Sequence, residues 1–276
     1  MKNILLQLKN IWILNFLNRI SYATTYYNKK YYQILKWGVS SKEDTNYTYS
    51  LTSKNILYLV HNISIITNVD YKKVLEYINE IEEDDFLKNF IIESIKKSPY
   101  KQTADLKVHF GRRVGWYAFA RILKPKVIVE TGVDKGLGSV VLCAALLRNQ
   151  EEGHLGKYYG TDINPRAGYL LTDKYKQVGE IIYGDSIETL RNFDKPIDLF
   201  INDSAHSEEY EYQEYLTIKD KISDETVILG DNSHCTDKLA LFSNENNRNF
   251  LFFGEEPLNH WYPGAGIGIS FIKHLN

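Results

Sequence analysis

From about residue 110 onward, apolar residues come in short runs separated by stretches whose apolar positions recur at helical spacing. Short runs rich in β-branched and aromatic residues, bounded by Gly, Asp or Asn, are typical of buried strands. The predicted strands are 126–131, 157–162, 179–184, 197–202, 226–230, 249–253 and 266–273. Helical spacing between all of these except the last pair predicts an α/β fold built on a parallel sheet.

The connection between the last two predicted strands decides the direction of the seventh strand. Only residues 254–265 lie between them, which is too few for a crossover through a helix. The seventh strand should therefore return antiparallel as a hairpin. We predict a Rossmann-like sheet of seven strands, six of them parallel, with an α-helical N-terminal extension.

That extension, residues 1–100, has helical spacing of apolar positions, for example Val74, Tyr77, Ile78 and Ile81. We expect it to act as a lid, an oligomerisation surface or a wall of the substrate pocket. Polar residues and Pro99 between residues 96 and 107 indicate a linker, so a second domain should span 101–276.

The segment 4–17 is apolar but interrupted by Gln, Lys and Asn, so it predicts no transmembrane segment and no signal peptide. An amphipathic helix, buried in the fold or at a subunit interface, is the favoured interpretation. Attachment to a membrane surface is the alternative, and a homo-oligomer would fit the interface interpretation.

Composition narrows the class of protein. A hydrophobic content of 43% can form a substantial core, and a formal net charge of -2 lacks the basic surface of a nucleic-acid binder. The two cysteines, Cys143 and Cys235, cannot form a disulfide framework, which is consistent with a cytoplasmic protein.

The first predicted strand runs into a glycine-spaced turn, with glycines at 132, 136 and 138, and then into a helix that begins near Ser139. Glycines let the backbone approach a ligand closely, so this turn indicates a nucleotide-like cofactor site. No lysine follows the turn as a phosphate-cradling loop requires, and the glycine spacing is wider than in dinucleotide-binding loops. A cofactor without a phosphate tail fits better than either, and a turn without a ligand stays open.

The turn together with the terminal hairpin resembles the class I S-adenosylmethionine-dependent methyltransferases over roughly residues 110–276. This resemblance implies S-adenosylmethionine as the cofactor, with Glu130 and the turn holding its methionine part. It also implies that Asp162, which ends the second strand, accepts hydrogen bonds from the ribose hydroxyls, and that Asp185 contacts the adenine. The cofactor-binding residues so implied are Glu130, Gly132, Asp134, Gly136, Ser139, Asp162, Asp185 and Ser186. Any of the acids could instead cap a helix, but three of them at three successive strand ends argue against capping alone.

Two further loops open at the same edge of the predicted sheet and carry oxygen ligands. Asp203 follows the fourth strand, and Asp231 and Asn232 follow the fifth. Their hard oxygen atoms suit Mg²⁺ or a similar divalent ion. We therefore predict a metal-assisted site at these residues.

The spacing from Asp203 to His206 resembles that of the macrocin-type, metal-dependent enzymes that methylate sugar hydroxyls. The resemblance implies that Asp203 and His206 are catalytic, with His206 as the base. Since an alcohol is a poor nucleophile at neutral pH, such an enzyme must deprotonate and aim the hydroxyl. His206 could instead cap the helix that follows or pair with Glu209, and His234 is a second candidate for the base.

Substrate recognition is expected from His234 and from the loop between the last two strands, where His260, Trp261 and Tyr262 combine aromatic faces with polar groups that suit a sugar. Before the first strand, Arg112, Arg113, Trp116 and Tyr117 could contact the cofactor carboxylate or a substrate phosphate. An exposed basic helix face is the alternative for that segment.

The sequence thus predicts a cytoplasmic, metal-assisted O-methyltransferase that acts on a sugar hydroxyl of a small-molecule or glycan-precursor acceptor. Methylation of a phenol or catechol is the alternative within the same class. A nucleotide-cofactor oxidoreductase and a non-catalytic binding protein are the alternatives outside it.

Overall fold

The computed structural model describes residues 11–43, 48–205 and 207–272. Its sheet has seven strands, which in chain order are β1 (Val127–Thr131), β2 (Lys157–Asp162), β3 (Gly179–Tyr183), β4 (Ile197–Asn202), β5 (Ile222–Gly230), β6 (Asn249–Gly254) and β7 (Gly266–Phe271). They lie in the order β3-β2-β1-β4-β5-β7-β6. Strand β7 is antiparallel to both β5 and β6, whereas the other neighbouring pairs are parallel. The predicted fold, six strands in one direction and an antiparallel seventh, is confirmed.

The described helices, in chain order, are α1 (Trp12–Ser40), α2 (Ser53–Thr67), α3 (Tyr71–Glu82), α4 (Asp85–Lys97), α5 (Arg113–Leu123), α6 (Leu137–Glu151), α7 (Ser186–Asn192), α8 (Glu208–Ile218) and α9 (Lys238–Glu245). Between β2 and β3 the predicted helix is only a short 3-10 helix, Asp173–Gln177. Upstream of it the chain is held by the turn after β1, because the amides of Gly168 and Leu170 donate to the carbonyls of Asp134 and Lys135. These bonds replace the helical ones.

Two hydrophobic clusters cover the two faces of the sheet. Helices α2 to α6 contribute to one of them, which includes Ile128 and Leu199, and the side chains that alternate with these, Val129 and Phe200, face a second cluster with α8 and α9. This alternation is what a strand buried on both faces produces. The sheet therefore has helices on both sides, and its strand ends remain available for a site.

Helices α2 to α4 share one continuous core with the sheet. On α5 the buried guanidinium of Arg121 donates to Glu80 of α3 at 2.8 Å and to Glu152 at 2.6 Å. The apolar cluster extends across residue 100. A division into two domains at that position stays a prediction.

Helix α1 has no buried residue, and Trp12 at its start is 69% exposed. Its second half contacts the loop between β6 and β7, where the Lys30 ammonium donates to the carbonyl of His260 and Trp37 packs against Trp261. Of the predicted segment 4–17, residues 4–10 lie outside the described part, and burial of residues 11–17 within the fold is wrong. Their place at a subunit interface stays a prediction. None of the described helices is both long enough and apolar enough to cross a membrane.

Candidate cofactor and acceptor site

A cavity of about 680 Å³ lies at the carboxyl ends of the parallel strands. The predicted site residues that line it are Gly132, Asp134, Asp162, Asp185, Ser186, Asp203, Asp231, His234 and Tyr262. Other predicted residues are not among its lining, namely Glu130, Gly136, Ser139, His260 and Trp261. His206 and the side chain of Asn232 lie outside the described part of the chain. The loops that follow strands β1 to β5 therefore converge on one cavity.

The turn after β1 depends on a glycine at position 132. Its φ of 78° lies in the left-handed region, and a Cβ there would come within 2.7 Å of the carbonyl carbon of Asp203 and closer still to its oxygen. Only glycine lets the β1 and β4 loops approach this closely. Their contact forms the floor of the cavity.

Glu130 lies beneath this turn rather than in the cavity. Its carboxylate accepts a hydrogen bond from the Tyr158 hydroxyl, which also contacts the Ser139 hydroxyl at 2.7 Å. Burial raises the pKa of Glu130 to about 7. Glu130 and Ser139 thus support the turn from below.

Asp162, at the end of β2, is positioned both to shape the turn and to face the cavity. One carboxylate oxygen accepts from the amides of Val133 at 3.1 Å and Asp134 at 3.0 Å, and the other accepts from the amide of Asn164. An aspartate suits this place because each of its oxygens can accept more than one hydrogen bond. Asp162 also lines the cavity, so it could accept further hydrogen bonds there.

Asp185 both caps a helix and lines the cavity, so neither of its two predicted roles excludes the other. It caps α7 by accepting from the amide of Glu188 at 3.0 Å, and it accepts from the Tyr210 hydroxyl at 2.8 Å while lining the cavity. The backbone amide of Glu188 lowers the pKa of Asp185, so this carboxylate is ionised at neutral pH.

Glu214 of α8 was not predicted as a site residue. It is buried, and its carboxylate accepts hydrogen bonds from Ser186 of the β3 loop, from Asn202 and from Ser204 of the β4 loop. Burial raises its pKa to about 7. The available sequence signal was an acid next to Tyr215 and four residues before Ile218, both of which are buried in α8. Glu214 thus holds together two of the loops that line the cavity.

At the other end of the cavity, Asp203 and Asp231 lie side by side. Asp231 is buried and the Asp203 side chain is 15% exposed. Desolvation and the charge of Asp231, to which it is hydrogen-bonded, raise the pKa of Asp203 well above its ordinary value. Burial opposes ionisation of Asp231, but the Arg112 guanidinium outweighs it and lowers the pKa of Asp231. The pair therefore shares less than two negative charges.

The Arg112 guanidinium forms a bidentate ion pair with the carboxylate of Asp231. Its Nε and Nη2 donate to the two oxygens of Asp231, and the Arg112 amide donates to Glu255 at 2.9 Å. The Arg113 side chain lies 3.8 Å from Asp203 and packs over Trp116. These arginines line the cavity and Trp116 and Tyr117 are buried, so the alternative of an exposed basic helix face is wrong.

This arrangement does not fit a divalent metal at the described residues. Both oxygens of Asp231 already accept from a cation, and the described chain has no group of three His, Cys, Asp or Glu side chains placed to hold an ion. A carboxylate engaged by a guanidinium fork is a poor ligand for a second cation.

Aromatic side chains form the outer rim of this end of the cavity. The ring of Tyr49 lies 5.9 Å from that of Tyr262 and 5.5 Å from that of His260, and Trp261 stacks on His260. Tyr49 and its neighbour Thr48 line the cavity, although no sequence signal marked them. The N-terminal region thereby contributes to the pocket wall.

The two buried glutamates make a pH-dependent contribution to stability that can be measured. Because the pKa of Glu130 and of Glu214 is about 7 in the folded protein against an ordinary value of 4.5, the folded state binds more protons between these values. The free energy of unfolding should therefore fall as pH rises from about 4.5 to 7, by up to about 1.4 kcal/mol per pH unit for each group. Urea unfolding of wild type, Glu130→Gln and Glu214→Gln across this range should show a shallower slope in each variant. Equal slopes in all three proteins would contradict the prediction.

Comparison with known proteins agrees with this geometry. Residues 129–233 match the family model described as a methyltransferase domain. A search among curated proteins returned no match. Many solved structures share the fold, among them a Staphylococcus aureus protein provisionally named a caffeoyl-CoA O-methyltransferase, with a TM-score of 0.51 and 16% identity over 74% of this chain and 100% of that chain.

Two further structures are similar at lower scores. The Podospora anserina methyltransferase PaMTH1, bound to S-adenosylhomocysteine, has a TM-score of 0.48 and 19% identity over 69% of this chain and 88% of that one. The O-methyltransferase TomG from Streptomyces achromogenes, in complex with S-adenosylmethionine, has a TM-score of 0.47 and 14% identity over 69% and 91%. At such identities the likeness concerns the fold.

The matched segment 129–233 contains the glycine turn, the acids that end β2 and precede α7, and Asp203 and Asp231 of the carboxylate pair. It therefore contains most of the residues that bring the strand-end loops to one cavity. Over residues 129–233 the chain is therefore similar to a methyltransferase domain, and the seven-stranded fold and the cleft described above are consistent with that match.

Proposed function

We propose that the enzyme transfers the methyl group of S-adenosylmethionine to a hydroxyl oxygen of a small molecule, with a sugar as the favoured acceptor. The observation that carries this proposal is the division of one cavity into two ends. Asp162 and Asp185 lie at one end, and Asp203 lies at the other beside the aromatic rim. A cofactor and an acceptor that meet between these ends would bring a methyl group and a hydroxyl together.

The cofactor end has the acceptors that a nucleoside requires. Asp162 would accept from the ribose hydroxyls and Asp185 from the adenine amine, because both residues line the cavity. The methionine part would lie over the Gly132 turn. There the guanidinium of Arg113 is a cation within reach of a carboxylate, and Asp203 supplies an acceptor for an ammonium group.

The acceptor end has the groups that a sugar hydroxyl requires. Tyr49 and Tyr262 would cover the apolar face of a ring, and the residues around them would bond its hydroxyls. His206 would remove the proton from the acceptor, since Asp203, Ser204 and Ala205 before it all line the cavity. The bound cofactor supplies an activated sulfonium methyl group, so positioning and proton removal are the work left to the chain.

The proposed reaction does not depend on a metal ion. Asp203, Asp231 and Asn232 were predicted to hold a divalent ion, but the Arg112 fork takes up the Asp231 oxygens. The same contact argues against a catechol acceptor, which would need a metal to bind its two neighbouring oxygens. A simple phenol stays an alternative that the acceptor experiment distinguishes.

The proposal is tested by incubating the purified protein with radiolabelled S-adenosylmethionine and a panel of acceptors. The panel should contain nucleotide-activated sugars, free sugars, phenols and catechols, each with and without chelator. We expect label on a sugar hydroxyl, with activity that survives chelation. Transfer to phenols alone would replace the sugar assignment, and binding of S-adenosylhomocysteine without transfer to any class would remove the proposed reaction.

The cofactor role of Asp162 can be tested without an acceptor. Asp162→Asn should weaken S-adenosylhomocysteine binding by roughly 10- to 100-fold in calorimetry, because hydrogen bonds to a charged acceptor contribute about 1.5–3 kcal/mol each. Asp198 offers a matched control, since its carboxylate also accepts from two backbone amides, those of Lys126 and Val127, at 2.8 Å each. Asp198 lies at the start rather than the end of its strand, β4, and does not line the cavity, so Asp198→Asn should leave the affinity unchanged. Equal losses in both variants would assign Asp162 a structural role only.

A further inference from the structure

Arg112 is held in place from several directions, which distinguishes it from a mobile surface arginine. Its guanidinium forks onto Asp231, its amide donates to Glu255 at 2.9 Å, and its Nη1 lies 3.5 Å from the other Glu255 oxygen. Only 14% of its side chain is exposed. A planar fork fixed on a carboxylate is the geometry for which arginine is suited.

Glu255 is itself fixed, so the clamp does not depend on Arg112 alone. The Glu255 side chain is fully buried, and it accepts from the Tyr49 hydroxyl at 2.9 Å and from the amide of Ala265 at 3.2 Å. Moving Arg112 away would leave the charges of Asp231 and Glu255 buried without their cation. Breaking one partner out of a buried ion pair is strongly unfavourable.

The charges of the cluster are already close to balance. Three carboxylates, those of Asp203, Asp231 and Glu255, lie with two guanidinium groups, those of Arg112 and Arg113. A divalent cation would give this cluster a net positive charge and would have to lie beside two fixed positive charges. The geometry of the ligands and the charge balance therefore point in the same direction.

We propose that Arg112 takes the place of a divalent cation at the acceptor end of the cavity. It is a positioning residue: it neutralises Asp231, orients that carboxylate beside Asp203 and supplies the fixed positive charge of the site. The inference rests on the proposed function for the meaning of this site, but its test needs neither cofactor nor acceptor. Without Arg112, the carboxylates of Asp203 and Asp231 would be able to bind a divalent cation; with Arg112 in place they are not.

The test measures Mn²⁺ binding to the purified full-length protein by electron paramagnetic resonance, in which free and bound Mn²⁺ are distinguished directly. Wild type should bind no Mn²⁺ at the cluster, whereas Arg112→Ala should open the carboxylates and gain affinity by at least roughly tenfold. Asp231→Asn added to Arg112→Ala should remove that gain. Arg112→Gln, which keeps a donor to one Asp231 oxygen, is the second variant if the alanine protein does not fold.

Arg113→Ala is the matched control, because it removes an equal charge from the same helix end without uncovering the Asp231 oxygens. It should bind no more Mn²⁺ than wild type, so a gain in Arg112→Ala alone would identify local ligation rather than a general change of potential. The inference is overturned if wild type binds Mn²⁺ and Asp231→Asn abolishes it. Folded Arg112 variants without any gain would overturn it as well. Failure to methylate any acceptor would instead count against the proposed function.

Discussion

Replacement of Gly132 by alanine is expected to abolish S-adenosylhomocysteine binding and to lower the free energy of unfolding by at least roughly 2 kcal/mol. Position 132 has a φ of 78°, where a Cβ is strained, and that Cβ would collide with the backbone of Asp203. The collision is with main chain, so no side-chain movement can relieve it. The β1 and β4 loops would have to separate, and the cavity lies between them.

Gly153→Ala separates the effect of backbone strain from that of the collision. Gly153 has a φ of 88°, but a Cβ there meets nothing within 4 Å. This control should lose only about 1–2 kcal/mol, the usual cost of a left-handed residue with a side chain, and should bind S-adenosylhomocysteine as wild type does. Urea unfolding and calorimetry provide the two readouts. Wild-type cofactor affinity in Gly132→Ala would show that the turn does not form the cofactor floor.

Replacement of His206 by alanine is expected to lower kcat by about 10²- to 10⁴-fold once an acceptor is known, which is the range for loss of a general base. S-adenosylhomocysteine affinity should change little, because the proposed ribose and adenine contacts, Asp162 and Asp185, lie on other loops. The measurement is single-turnover transfer of labelled methyl from the bound cofactor. It separates the chemical step from binding and product release.

His234→Ala is the matched control for the base. The His234 ring also lines the cavity, but its Nδ1 lies 3.0 Å from the carbonyl of Asp231, within its own short 3-10 helix. It should therefore cause the smaller loss. If His234→Ala loses more activity than His206→Ala, the role of base passes to His234.

Much of the sheet could be predicted because strands buried on both faces leave continuous apolar runs, and each predicted strand overlaps an observed one. The largest boundary error is at β5, which begins at Ile222 rather than at residue 226. Ile222 pairs with Ile197 across a register irregularity, and the polar residues 223–225 that follow hide this pairing from the pattern. The alternation of apolar and polar residues therefore does not reveal that the strand continues beyond a bulge.

The predicted helix between β2 and β3 failed for a related reason. Its apolar residues fit one face of a helix, yet they belong to a loop that forms backbone hydrogen bonds with the turn after β1. The exposure of α1 is likewise invisible in an amphipathic pattern, which states that a face is apolar without stating what covers it. Both errors concern partners that are distant in the chain.

What the sequence by itself determined was the succession of strands along the chain, the direction of the last one, and the presence of acids at the carboxyl ends, because parallel strands necessarily bring those ends to one edge. Tertiary structure alone decided which of these acids face the cavity. Glu130 lies beneath the cavity and Asp162 lines it, although both stand at or next to the carboxyl end of a strand. The partners of the charges were also decided there: Arg112 and Asp231 are 119 residues apart, and Tyr49 and Glu255 are 206 apart. Local spacing carries no information about such contacts, since only the packing of helices against the finished sheet brings their side chains together.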